Sequence, residues 1–151
     1  MLVDCRRVEF KSPEYEMALA LRTEVLRKPL GLTFNPADLA KEIDHLHFVA
    51  LHSGQVVGTL MLVNLAAGRQ KMRQVAVANE LQGHGVGRQL IEWSERWAVE
   101  NGTFEFELNA RETAVPFYLK LGYQTVGEPF LEVGLPHFQM RKSLLKRGRG
   151  F

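Results

Sequence analysis

The sequence of 151 residues holds a single cysteine, Cys5. One thiol excludes an internal disulfide framework and any metal site built from cysteines alone, and it suits a reducing compartment. An excess of one sign of charge is also missing: 19 Lys and Arg stand against 17 Asp and Glu, a net +2. That balance excludes nucleic-acid binding through overall charge and leaves only a local patch, so no nucleic-acid partner is expected. Residues 1–7 carry charge where an export signal needs its apolar stretch, so the expected location is cytoplasmic. Repeats, low-complexity segments and linkers are absent, and the length suits one domain of roughly 100–200 residues. That domain is expected over residues 1–142, followed by a basic tail at 143–151.

One long run lacks charge altogether. Residues 46–68 contain no Asp, Glu, Lys or Arg and are nominally long enough to cross a bilayer. His47, His52, Ser53, Gln55 and Asn64 interrupt the run, and Ser53-Gly54 reads as a turn between two β-rich segments. A buried hairpin is the better reading, with no membrane association.

What is present is a regular succession of elements. Residues 3–10 read as a first strand. Ser12-Pro13-Glu14 reads as a helix start with Ser12 as cap, followed by a stripe of Met17, Leu21, Val25 and Leu26 that Pro29 and Gly31 end. Asn35-Pro36 opens a second helix, to Ala40 or Ile43. Strands are expected at 47–51, 56–63 and 71–77. A helix over 85–101 places Val86, Leu90, Trp93 and Trp97 on one face. Residues 104–109 alternate as a strand does, with Phe104, Phe106 and Leu108 against Glu105, Glu107 and Asn109. Thr113 is read as the cap of a short helix to Leu121. Antiparallel strands are expected at 123–128 and 137–142, around a loop from Pro129 to Pro136. The resulting fold class is α+β: a three-layer αβα arrangement with a mixed, mostly antiparallel central sheet flanked by helices.

Between the fourth strand and the long helix lies Leu81-Gln82-Gly83-His84-Gly85-Val86-Gly87-Arg88. Alternate glycines let the backbone turn sharply and leave its amides unshielded. Those amides and the positive end of the next helix suit a phosphate or pyrophosphate, with Arg88 adding charge. The plainer alternative is a tight strand–helix connection. A dinucleotide fingerprint would need a third glycine where Arg88 stands, and a P-loop would need Gly-Lys-Ser/Thr, which is absent.

The run Gln82-Gly83-His84-Gly85-Val86-Gly87 resembles the Gln/Arg-x-x-Gly-x-Gly/Ala signature of the GNAT acyl-CoA N-acyltransferases. Gln74-Val75-Ala76-Val77 resembles the strand before that signature. Phe117-Tyr118-Leu119-Lys120-Leu121-Gly122-Tyr123 resembles the Phe-Tyr-x-x-x-Gly-Phe segment of the same family, at a normal distance. The order of elements matches that fold from about Val3 to Lys142, which would make 1–142 one GNAT N-acetyltransferase domain. The resemblance implies that Val75, Ala76 and Val77 offer backbone groups to the pantetheine arm of acetyl-CoA. It also implies that Gln82, Gly83, His84, Gly85, Val86, Gly87 and Arg88 hold the pyrophosphate, and that Tyr118 supplies a proton or hydrogen bond to the departing thiolate.

Two positions depart from the family pattern. Gln74 stands near the place of the usual glutamate base, and Arg111 near that of a usual asparagine; Asn109 could reach the cofactor instead. Gly134-Leu135-Pro136-His137 resembles the Gly-Ile/Leu-Pro-His ending of a GNAT subgroup, which makes His137 a proton-relay or substrate-side candidate. Glu105 and Glu107 are alternative bases, or a solvated face. Residues 21–27 fall where family members shape the acceptor pocket, so Arg22 and Glu24 are substrate candidates; solvated charges are the alternative. His45 and His47 share a strand face with no third ligand in suggestive spacing, and no metal is expected. The implied activity is acetyl transfer from acetyl-CoA, as donor cosubstrate, to a primary amine. A non-catalytic acyl-CoA-binding module is the alternative, and a homodimer is left open.

Overall fold

The computed structural model describes residues 1–145. Residues 146–151 of the expected basic tail lie outside the described residues, and Ser143 ends a strand.

The chain forms β1 (Asp4–Val8), α1 (Pro13–Arg22), α2 (Pro36–Ala40), β2 (Leu46–His52), β3 (Gln55–Asn64), β4 (Arg69–Val77), α3 (Val86–Glu100), β5 (Glu105–Arg111), α4 (Val115–Lys120), β6 (Gln124–Glu132) and β7 (Leu135–Ser143). The strands make one mixed sheet in the order β1-β2-β3-β4-β5-β7-β6, flanked by the helices. Pairings of β1 with β2, β2 with β3, β5 with β7 and β6 with β7 are antiparallel, whereas β4 and β5 run parallel over Arg69–Lys71 and Glu105–Glu107. The packing divides into two compact units, one of residues 1–63 and 73–96 and one of residues 64–72 and 97 onward.

In the first unit, α1 begins where Ser12 accepts a hydrogen bond from the Tyr15 amide, with Pro13 at the first helical position. Asn35 caps α2 in the same way through the Ala37 amide. Between them the helix loosens. Thr23–Arg27 is a π-helical turn, Lys28–Leu30 a 3-10 turn, and Gly31 ends the segment at φ 68°. The uncharged run folds as the β2–β3 hairpin, with Ser53 at φ 51° and Gly54 at φ 75° as a two-residue turn requires. Phe48, Val49, Leu60, Leu62, Val86, Leu90 and Ile91 form its core. Gly58 lets α3 approach β3 closely: a Cβ there would stand 3.0 Å from Val86 Cγ1 and 3.3 Å from Ala50 Cβ.

The second unit is built on Phe106, Leu108, Tyr123 and Met140. Here two expectations are corrected. Thr113 does not cap a helix; Glu112–Ala114 is a 3-10 turn, and α4 starts after Ala114 with no side-chain cap. Residues 129–136 are not a loop, because β6 runs on to Glu132 and β7 starts at Leu135, joined at Val133 (φ 45°) and Gly134 (φ 75°). The register shifts between Val126 and Phe130, and Pro129 is tolerated because β6 is an edge strand.

Candidate active site

The glycine cluster is a turn between β4 and α3. Gly83 and Gly85 both hold φ 84°, a region other L residues rarely enter, and a Cβ at Gly83 would meet nothing within 4 Å. Gln82 braces the turn by donating from Nε2 to the Val77 carbonyl and to Asn79 Oδ1, each at 3.2 Å. Helical bonding starts with the Gln89 amide donating to the Gly85 carbonyl at 3.1 Å. Among the described residues, the amides of Gly83, Gly85, Val86, Gly87 and Arg88 therefore lack an acceptor. His84 and Arg88 are exposed beside them. Gln89 anchors this first helical turn: its Nε2 donates to the Met1 carbonyl at 2.6 Å, and its Oε1 accepts from the Val3 amide at 3.2 Å. Sequence reasoning missed Gln89, whose partners lie more than eighty residues away.

Just upstream, Gln74 sits in β4 at φ 57°, and its Oε1 is buried without a hydrogen-bond partner. Val75 and Val77 are half-buried and Ala76 is buried.

In the second unit, Tyr118 is only 7% exposed on α4, edge-on to Phe117 at 5.0 Å and to Tyr123 at 5.7 Å. Burial pushes its phenol well above the usual range, so Tyr118 stays protonated. No group among the described residues hydrogen-bonds its hydroxyl. His137 is buried on β7, with Nδ1 2.8 Å from the Leu135 carbonyl and Nε2 3.6 Å from Glu132 Oε2. A carbonyl only accepts, so Nδ1 donates to it, and Nε2 is the ring nitrogen that faces the carboxylate. Asn109 Nδ2 donates to the other oxygen of Glu132 at 3.3 Å. Asn109, Glu132 and His137 are thus one cluster, of which Glu132 was missed because the expected loop hid its strand. Glu105 and Glu107 are occupied: Arg69 bridges them at 3.1 and 2.6 Å, and Gln139 donates to Glu107 at 3.1 Å.

The two substrate candidates part company. Glu24 is exposed and pairs with Lys28 at 3.4 Å. Arg22 is 2% exposed and forks onto Glu42 at 2.8 and 2.7 Å, while the Tyr15 hydroxyl donates to the same carboxylate at 2.7 Å. Burial raises the Glu42 carboxyl, but Arg22 and Tyr15 outweigh it and hold the group below the usual range. His47 Nε2 donates to the Glu42 carbonyl at 2.8 Å, and His45 precedes β2; among the described residues no cluster of three metal-ligating side chains exists. No helix among them is long and apolar enough to cross a membrane.

A family model described as an acetyltransferase (GNAT) domain matches residues 22–144. The chain belongs to the GNAT acetyltransferases. The N-acetyltransferase YjcF of Bacillus subtilis (strain 168), itself uncharacterised, is 34% identical to this GNAT chain over 131 residues, 83% of the chain and 89% of YjcF. A solved Lactobacillus plantarum structure assigned as an N-acetyltransferase superposes with a TM-score of 0.81 at 29% identity, covering 93% of this chain and 99% of that one. An aminoglycoside 6'-N-acetyltransferase solved with coenzyme A shares the GNAT fold at TM-score 0.78 and 15% identity, covering 95% and 98%.

Proposed function

We propose that this GNAT chain moves an acetyl group from acetyl-CoA to a primary amine by direct attack in a ternary complex. The observation that carries the reading is the turn at residues 82–88, whose acceptor-less amides stand at the start of a 15-residue helix. A backbone nest of this kind fits a pyrophosphate, and the space beside Gly83, open where a side chain would otherwise project, leaves room for it. Gln82 holds the nest, Arg88 adds charge, and the backbone of Val75, Ala76 and Val77 would bind the pantetheine arm. The relative solved with coenzyme A supports the same ligand class.

Acetyl-CoA, when bound, supplies an acyl group activated as a thioester. Tyr118 keeps its proton because burial disfavours the phenolate. A phenol is a weaker acid than a thiol by more than about one unit even before burial, so Tyr118 helps by donating a hydrogen bond to sulfur rather than by completing a proton transfer. His137 Nε2 and the Glu132 carboxylate, 3.6 Å apart, are the groups that would take up the proton the amine releases. Asn109 steadies Glu132. Gln74 cannot act as a base, since an amide takes no proton at neutral pH, but its unpartnered Oε1 can accept a hydrogen bond from an amine.

Gln74 also sustains the second reading, a non-catalytic acyl-CoA-binding module. Calorimetric titration with acetyl-CoA, with ATP and NAD as controls, followed by thiol release with a panel of amines, separates the two. Selective binding with thiol release supports the transferase. Selective binding with no release from any amine favours the module. No binding by the folded protein reduces the glycine turn to a connection and removes both readings.

A further inference from the structure

The π-helical turn after α1 sets two arginines on one aromatic ring. The Phe34 ring lies 4.7 Å from the Arg22 guanidinium carbon and 4.6 Å from that of Arg27. Arg22 is neutralised by Glu42. Arg27 is not: among the described residues it has no carboxylate partner, and its Nε is buried without an acceptor. Glu24 pairs with Lys28 and Asp38 with Lys41 at 3.8 Å, and no acid among the described residues comes within ion-pair distance of Arg27. His45 joins this group, its Nδ1 buried and unpartnered, with Arg22, Arg73, Glu42 and Asp44 acting on it electrostatically. Arg73 is exposed on β4, lacks a carboxylate partner among the described residues, and immediately precedes Gln74. Two cations therefore have no ion-pair partner among the described residues: Arg27, stacked on Phe34, and Arg73, next in sequence to Gln74, which stands near the usual place of the base.

We propose that Arg27 and Arg73 form an anion-binding subsite for the acceptor, so that the preferred substrate is an amine that also carries a carboxylate. A guanidinium fork matches the two oxygens of a carboxylate, and stacking on Phe34 fixes Arg27 in advance. Arg22, paired with Glu42, stacks on the same ring. The inference rests on the transferase reading, but it has a binding readout that does not need turnover.

The test uses ω-amino carboxylates with two to five methylenes, the matching ω-amino amides, and the matching aminoalkylphosphonates. Each is titrated calorimetrically into the full chain and assayed for thiol release with acetyl-CoA. The carboxylate is expected to exceed its amide by at least about tenfold in affinity and in kcat/KM at the best length. Arg27→Gln should collapse that ratio towards one while leaving acetyl-CoA affinity unchanged, and Lys11→Gln, an exposed cation with no carboxylate partner among the described residues, should preserve the ratio. Arg27→Lys keeps the charge but loses the fork and should restore only part of it. Equal binding of carboxylate and amide, or equal loss of both in Arg27→Gln, overturns the subsite. Phosphonates favoured at every length overturn the carboxylate assignment. Selective carboxylate binding without thiol release leaves the subsite standing and removes the transferase reading.

Discussion

Replacing Glu42 with glutamine tests the buried network of Arg22, Glu42 and Tyr15. Glu42 is 5% exposed, and three hydrogen bonds end on its carboxylate, two from Arg22 and one from Tyr15. In Glu42→Gln the amide nitrogen faces an arginine donor, and the guanidinium, itself 2% exposed, loses its one carboxylate partner among the described residues. Breaking a buried pair in this one-sided way costs about 3–5 kcal/mol. For a chain of this size that corresponds to a drop of roughly 6–20 °C in Tm. The triple change Arg22→Met, Glu42→Leu, Tyr15→Phe removes all three polar partners at once and should come within about 1 kcal/mol of the parent, since apolar replacement of a buried pair is often neutral. Urea unfolding followed by tryptophan fluorescence reads both. A Glu42→Gln loss below about 1 kcal/mol, the scale of an ordinary hydrogen bond, or a triple variant no better than the single, would refute the argument.

The same group sets a pH dependence. The folded Glu42 carboxyl lies below its unfolded value of about 4.3. Its contribution is therefore complete above that value and is lost as pH falls through the lower folded value. The stability gap between parent and Glu42→Gln should be constant above about pH 4.3 and narrow as pH falls below it. A constant gap would show that the charge carries none of it.

Three further changes address the transfer chemistry and the turn. Tyr118→Phe should lower kcat by about 10- to 100-fold, the scale of one hydrogen bond to a charged group, while leaving acetyl-CoA affinity and Tm unaltered, because no described residue hydrogen-bonds that hydroxyl; equal losses of turnover and affinity would remove the proposed role. Gly85→Val places a β-branched residue at φ 84°, a strain of about 1–3 kcal/mol, and should abolish acetyl-CoA binding in a protein still folded by circular dichroism. Gly58→Ala crowds Val86 and Ala50 at 3.0 and 3.3 Å, which costs about 1–3 kcal/mol. Because Val86 opens α3 at the end of the glycine turn, acetyl-CoA affinity should fall as well, and an unchanged Tm would argue against that close approach.

Local chemistry made much of this legible in sequence. Ser12-Pro13 and Asn35-Pro36 act within three residues, Ser53-Gly54 closes its own hairpin, and the glycines at 83 and 85 are needed at positive φ where they stand. What failed to show was non-local or locally disfavoured. Val133 at φ 45° is a residue that turn rules reject, so the β6–β7 hairpin read as a loop and Glu132 stayed hidden from His137. Arg69 meets Glu105 and Glu107 across a parallel pairing thirty-odd residues away, which no spacing rule anticipates.

The charges after α1 show how such a gap reaches function. Read as an α-helix, Arg22 and Arg27 are five residues apart and point to different faces, so each looks like an independent solvated charge. The π turn replaces the i→i+4 pattern with i→i+5, as the Lys28 amide bonding to the Thr23 carbonyl shows, and residues five apart come into line. Both guanidiniums then reach Phe34, yet only Arg22 finds a carboxylate, supplied by Glu42 twenty residues on. The sequence offered Arg22 for the substrate because it lies in the right segment, but burial and pairing engage Arg22 and leave Arg27 without a carboxylate partner among the described residues. A charge left open to a ligand is thus distinguished from a structural one by where its counter-ion sits, and that is a property of tertiary packing rather than of the helix that carries both.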